Sequence, residues 1–177
     1  MQFGEILVIP WILPGLGVSL VIAFVLGGPV ERTFRAGPLL SWALILSLGI
    51  ILSATLTPSR EAIDSGASGI RGCDFSRIGL IPIRELLRFG DTGLNVLMFA
   101  PLGVAIGLLP GSGRKAAVVA AAIALPFAIE VVQLLVPVLD RACESADVVD
   151  NLTGLAIGLV GGVAAGRLAA VVDRRPH

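Results

Sequence analysis

Carboxylates and amides interrupt the apolar runs of this chain most conspicuously between Pro126 and Gly158, PFAIEVVQLLVPVLDRACESADVVDNLTGLAIG. Glu130 and Gln133 sit three residues apart inside one apolar segment, and Asp147 and Asn151 sit four apart at the start of the next. Asp91 and Asn95 repeat the four-residue spacing upstream. On helices each pair shares a face. A charged group at bilayer depth costs about 2.5 to 3.5 kcal/mol on insertion scales, so such groups are tolerated where they face a protein interior or a wet cavity. The acidic hinge between the two segments carries one cation, Arg141, whose forked guanidinium suits Glu130 or Asp147 as a partner. Because Asp91, Glu130, Glu144 and Asp147 outnumber that arginine, a pocket built from these residues favours a cation, an ammonium group or a sugar-like headgroup. The bland alternative is a buried network that only locks helices together.

The elements that position these residues follow from composition. The chain has 177 residues, 55% hydrophobic and 15% charged, with mean hydropathy +0.94; soluble domains carry about 25% charged residues. The expected fold is an all-α membrane protein with a multi-pass location in the cell membrane and the lipid bilayer as its first partner. A net charge of zero and the lack of a basic tail leave nucleic-acid binding without an electrostatic footing.

A bilayer crossing needs about 20 mostly apolar residues, and five windows qualify: Ile6 to Leu26, Pro38 to Leu56, Thr92 to Leu109, Ala116 to Val138 and Asn151 to Val172. Gly27 to Gly37 reads as a basic turn, and the second span as plain scaffold whose serines bond back to helix carbonyls. Pro101 and Pro126 are expected to bend spans three and four. Thr57 to Gly90 is a long outer loop, ending in a short interfacial helix with Ile83, Leu86 and Leu87 on one face and Arg84, Glu85 and Arg88 on the other. In the last span Gly154, Gly158, Gly162 and Gly166 recur every fourth residue, which lets a neighbouring helix approach backbone to backbone.

Basic residues are denser in the turns after spans one and three and in the tail, so the N-terminus is expected outside and the C-terminus inside. Asn95, Glu130 and Asn151 then lie near the outer surface, Glu130 roughly 10 to 12 Å below the end of its helix. The division expected is an N-terminal two-helix part with its outer loop (1–79), a three-helix domain (80–172) and a cytoplasmic tail (173–177). Cys73 and Cys143 both fall in outer segments, where a disulfide can form. Two cysteines and the terminal His177 do not make a zinc site, and no cofactor is expected.

Read together, NVLMFAPLG (Asn95 to Gly103), IEVVQLLVP with Glu130 and Gln133, and RACESADVVDNLTGLAIG with Arg141, Glu144, Asp147, Asn151, Gly154 and Gly158 resemble the VanZ-like family of small bacterial membrane proteins. The resemblance covers Leu80 to Gly158 and leaves spans one and two aside. Glu144 departs from the aspartate more common there. The resemblance implies an envelope protein associated with teicoplanin-type glycopeptide resistance. The first functional reading is therefore a membrane factor that binds an envelope precursor or a glycopeptide at the outer pocket. The second is an intramembrane enzyme acting on a lipid-linked substrate through Glu130 or Asp147, although no nucleophile with an adjacent base is visible. A carrier titrating Glu130 is disfavoured by the lack of an inverted repeat. Oligomeric state is left open.

Overall fold

Apolar runs of helical length dominate the structure, a computed structural model that describes residues 12–58, 60–65, 72–80 and 91–173. The long helices are α1 (Ile12–Phe34), α2 (Pro38–Thr55), α4 (Asp91–Leu108), α5 (Gly113–Leu135) and α6 (Ser145–Asp173), with a six-residue helix α3 (Arg60–Ser65) after α2. Strands β1 (Cys73–Asp74) and β2 (Cys143–Glu144) form one short parallel ladder. This is an all-α membrane protein. Among the described residues α1, α2, α5 and α6 are long and apolar enough to cross a membrane, and α4 adds a shorter apolar helix over Thr92–Leu108. The interfacial helix expected around Ile83 to Arg88, the side chain of Asp91 and the tail with His177 lie outside the described residues.

Two boundaries differ from the sequence reading by more than one helical turn. Helix α1 continues through Gly27, Gly28 and Pro29 to Phe34 instead of breaking into a turn at Gly27. Packing explains the glycine, since a Cβ at Gly27 would come within 3.0 Å of the Trp42 indole nitrogen. The chain reverses later, at Arg35 with φ 52°. Helix α6 begins at Ser145 rather than Asn151, with Asp147 in its first turn, where a carboxylate favours the positive end of the helix dipole. The hinge is correspondingly shorter.

Lipid offers no hydrophobic gain for bringing helices together, so small residues and hydrogen bonds organise the interfaces. Across the antiparallel α1–α2 contact, Gly15 faces Ser53 and Gly49 faces Ser19. Both hydroxyls donate to their own helix, Ser19 to the Gly15 carbonyl and Ser53 to the Gly49 carbonyl, each at 2.7 Å. Helices α4 and α6 run parallel at closer range. Gly154 faces the Val96 backbone, Gly158 that of Ala100 and Val104, and Gly162 that of Val104 and Gly107, while Gly103 and Gly107 answer from α4. Gly166 meets only a Leu108 methyl at an ordinary 3.7 Å. Beside this seam Ile51, Phe99, Leu102, Ile106, Ala122, Ile129 and Leu155 form a core shared by α2, α4, α5 and α6. Large apolar residues point outward elsewhere, such as Phe24 at 79% and Val160 at 70% exposed, as a lipid-facing surface requires.

Each end of the bundle is tied by cations on helix carbonyls. At one end Lys115 Nζ donates to the Gly107 and Leu109 carbonyls at 2.7 and 2.8 Å. Arg114 there donates to the Thr33 carbonyl at 2.9 Å. The other end gathers the close of α2, the start of α4, the close of α5 and the start of α6. It carries the polar residues.

Candidate functional site

The last carbonyls of α2 have no helical donor of their own, and residues distant in sequence supply them. Gln133 Nε2 donates to the Thr55 carbonyl at 3.0 Å. Arg141 donates through Nη2 to the Ala54 carbonyl at 3.0 Å and through Nε to that of Thr57 at 3.4 Å. Arg141 thus caps a helix instead of forking onto Glu130. Its burial lowers the guanidinium pKa from its ordinary value, while the charge of Asp147 acts the other way.

Glu130 is buried and its Oε2 accepts from the backbone N–H of Glu144 at 2.7 Å. That bond pins the hinge to α5. On the neighbouring helices Asn95 Nδ2 donates to Asp147 Oδ1 at 2.7 Å, joining the starts of α4 and α6. Asn151 is buried, with no described donor to its Oδ1.

Between these groups lies a cavity of about 550 Å³. Its polar wall holds Asn95, Gln133, Arg141, Glu144 and Asp147; its apolar wall includes Ile50, Leu94, Leu97, Met98 and Pro101. Helix α2, read from sequence as scaffold, contributes Ser47, Ile50, Ala54 and Thr55. Glu130 and Asn151 are buried and do not line the cavity, although Glu130 holds the lining residue Glu144 by its backbone amide. A smaller cavity of about 280 Å³ is lined by aliphatic residues such as Ile106, Ala122 and Leu155, and offers no polar recognition. Among the described residues no cluster of His, Cys, Asp or Glu is arranged to hold a metal ion.

Described residues of the loop between α2 and α4 are fastened to this end of the bundle. Cys73 and Cys143 form a disulfide across the β1–β2 ladder, 70 residues apart in sequence. Arg77 and Asp150, which sequence reasoning did not single out, form an ion pair at 2.5 Å with Asp150 almost wholly buried. Arg77 also donates to the Ala146 carbonyl at 3.3 Å, and its own carbonyl accepts from Ser145 Oγ at 2.8 Å. Asp150 lies three residues after Asp147, a weak signal; nothing in the sequence separates Arg77 from the other arginines of the loop.

With this geometry the comparison with known families is decisive, since a family model described as VanZ/LLP1 matches residues 42–165. The chain belongs to the VanZ/LLP1 family. The matched span begins within α2 and ends within α6, so it takes in every residue of the cavity wall and reaches further back than the resemblance over Leu80 to Gly158. No curated protein and no solved structure matches the chain. Membership of VanZ/LLP1 and the apolar helices together fit a multi-pass membrane protein.

Proposed function

We propose that this VanZ/LLP1 protein binds the headgroup of an amphiphilic cell-envelope component in the cavity at the extracytoplasmic end of its bundle, and that this binding contributes to glycopeptide resistance. The observation that carries the reading is the two-sided wall: aliphatic on α4, charged and amide-bearing where the hinge and the starts of α4 and α6 meet. Ligand sites combine an apolar lining with a few convergent polar groups, and here both lie at one end of membrane helices. A disulfide at that same end supports the outward orientation, because the outer face of a bacterial membrane permits disulfides. The density of Arg and Lys at the opposite end agrees with it.

The test compares a glycopeptide-sensitive host carrying an empty vector, the wild type or Asp147→Asn. The substitution removes a cavity charge while leaving an oxygen to accept from Asn95. Wild type is expected to raise the teicoplanin concentration needed to stop growth, and Asp147→Asn to return it most of the way to the empty-vector value. Equal susceptibility in all three strains would remove the antibiotic part of the reading. In the same cells, reduction of the disulfide followed by a membrane-impermeant maleimide is expected to label Cys73, the less buried of the two cysteines; protection from the reagent in intact cells but not lysed ones would invert the orientation.

A further inference from the structure

We infer that the headgroup taken by this cavity carries a primary ammonium group, so that its N–H donors as well as its positive charge are recognised; the inference rests on the binding role proposed above. The amide groups of the wall already donate inside the protein, Asn95 Nδ2 to Asp147 and Gln133 Nε2 to the Thr55 carbonyl. Arg141 directs Nε and Nη2 at the carbonyls of Thr57 and Ala54 at the close of α2.

The acceptors are different. Because the Thr55 carbonyl must face the NH₂ of Gln133, the orientation of that amide is fixed and Oε1 is the atom left over. Gln133 lines the cavity at only 6% exposed, and no described residue donates to its Oε1. A buried acceptor without a partner costs about 1 to 3 kcal/mol, a cost that a ligand donor would relieve. Pro101 adds a second acceptor: it has no N–H for the carbonyl of Leu97 four residues earlier, and both residues line the cavity.

Charge points the same way. Glu144 and Asp147 line the wall against the single guanidinium of Arg141, which disfavours a phosphate and favours a cation. The Gln133 oxygen is recessed, so a compact –NH₃⁺ with three donors reaches it more readily than a sugar ring.

The experiment uses the full chain in maltoside micelles and reads the shift in thermal unfolding midpoint against added dodecylammonium, dodecyltrimethylammonium and dodecyl phosphate. Dodecylammonium is expected to bind about tenfold more tightly than the trimethyl compound, which has equal charge and no N–H, the ratio of one charge-assisted hydrogen bond. Gln133→Leu should bring that ratio close to one. Should that variant fail to fold, Gln133→Glu, which keeps an acceptor, should preserve the preference. Equal binding of the two cations, or tighter binding of dodecyl phosphate, overturns the ammonium inference and leaves the cavity a headgroup site. If none of the three saturates, the binding reading itself fails. Phosphatidylethanolamine against free ethanolamine then separates a lipid source from a soluble amine: a shift with the lipid alone identifies the former.

Discussion

Gly158→Ala is expected to lower the unfolding free energy by about 3 kcal/mol, the upper part of the range for overpacking a close contact. A Cβ at Gly158 would collide with the Ala100 carbonyl oxygen and come within 2.9 Å of the Ala100 carbonyl carbon and the Val104 amide nitrogen. These are backbone atoms on a facing helix, so no rotamer change can relieve the overlap; α4 must move away along its length. The disturbance reaches the cavity, because α4 carries Asn95, Met98 and Pro101 on its wall. Two glycines of the same helix serve as controls. Gly161 has nothing within 4 Å and Gly166 only a leucine methyl at 3.7 Å, so alanine at either is expected to leave stability unchanged or raise it by up to about 1 kcal/mol, the helix preference of alanine over glycine. Denaturant unfolding in detergent measures all three. Equal effects at Gly158 and Gly161 would contradict the close α4–α6 seam.

The second large effect is expected at the Arg77–Asp150 pair, and it is asymmetric. Breaking a buried ion pair by removing one partner leaves an uncompensated charge, typically at a cost of 3 to 5 kcal/mol. Here the side chain of Arg77 is 33% exposed and that of Asp150 1% exposed. Arg77→Met strands a carboxylate whose Oδ1 already has no described donor, and is expected to cost about 3 kcal/mol. Asp150→Asn leaves a guanidinium that water can reach, and is expected to cost about 1 kcal/mol, the value of one net hydrogen bond. The double variant should fall below the sum of the two, since the stranded charge is gone. Unfolding midpoints together with protease sensitivity of the loop measure the series. A larger loss for Asp150→Asn than for Arg77→Met would contradict the burial argument.

Much of the helical plan was legible because lipid imposes simple rules. Apolar runs of bilayer length gave the long helices, and a four-residue glycine period announced a backbone contact, though nothing in sequence told Gly162, pressed on α4, from Gly166, which is not. The convergence of Asn95 with Asp147 followed from helical spacing and alternating helix direction. Other features carried no such signal. Gly27-Gly28-Pro29 reads as a turn in isolation, yet α1 runs through it, with the Trp42 indole seated where a side chain at position 27 would begin. The partners of Gln133 and Arg141 are backbone carbonyls of α2, and a carbonyl looks the same at every position of a sequence. For that reason residue types alone point Arg141 at a carboxylate and mark α2 as scaffold. The position of Glu130 off the cavity lining, bonded to the Glu144 amide, depends on a hinge conformation that local spacing does not specify.

The cavity beside Met98 is expected to hold an envelope amphiphile rather than bulk lipid. The chain contains two methionines, Met1 and Met98, of which Met98 lies on the cavity wall. Photo-methionine fed to growing cells therefore reports on residue 98 with almost no structural change. After irradiation, mass spectrometry of the purified protein is expected to find at residue 98 an adduct of one headgroup class, enriched over its share of the membrane and absent when the methionine is moved by Met98→Leu and Leu168→Met to the lipid-facing side of α6. Adducts at both positions that simply mirror the bulk lipid composition would contradict the account.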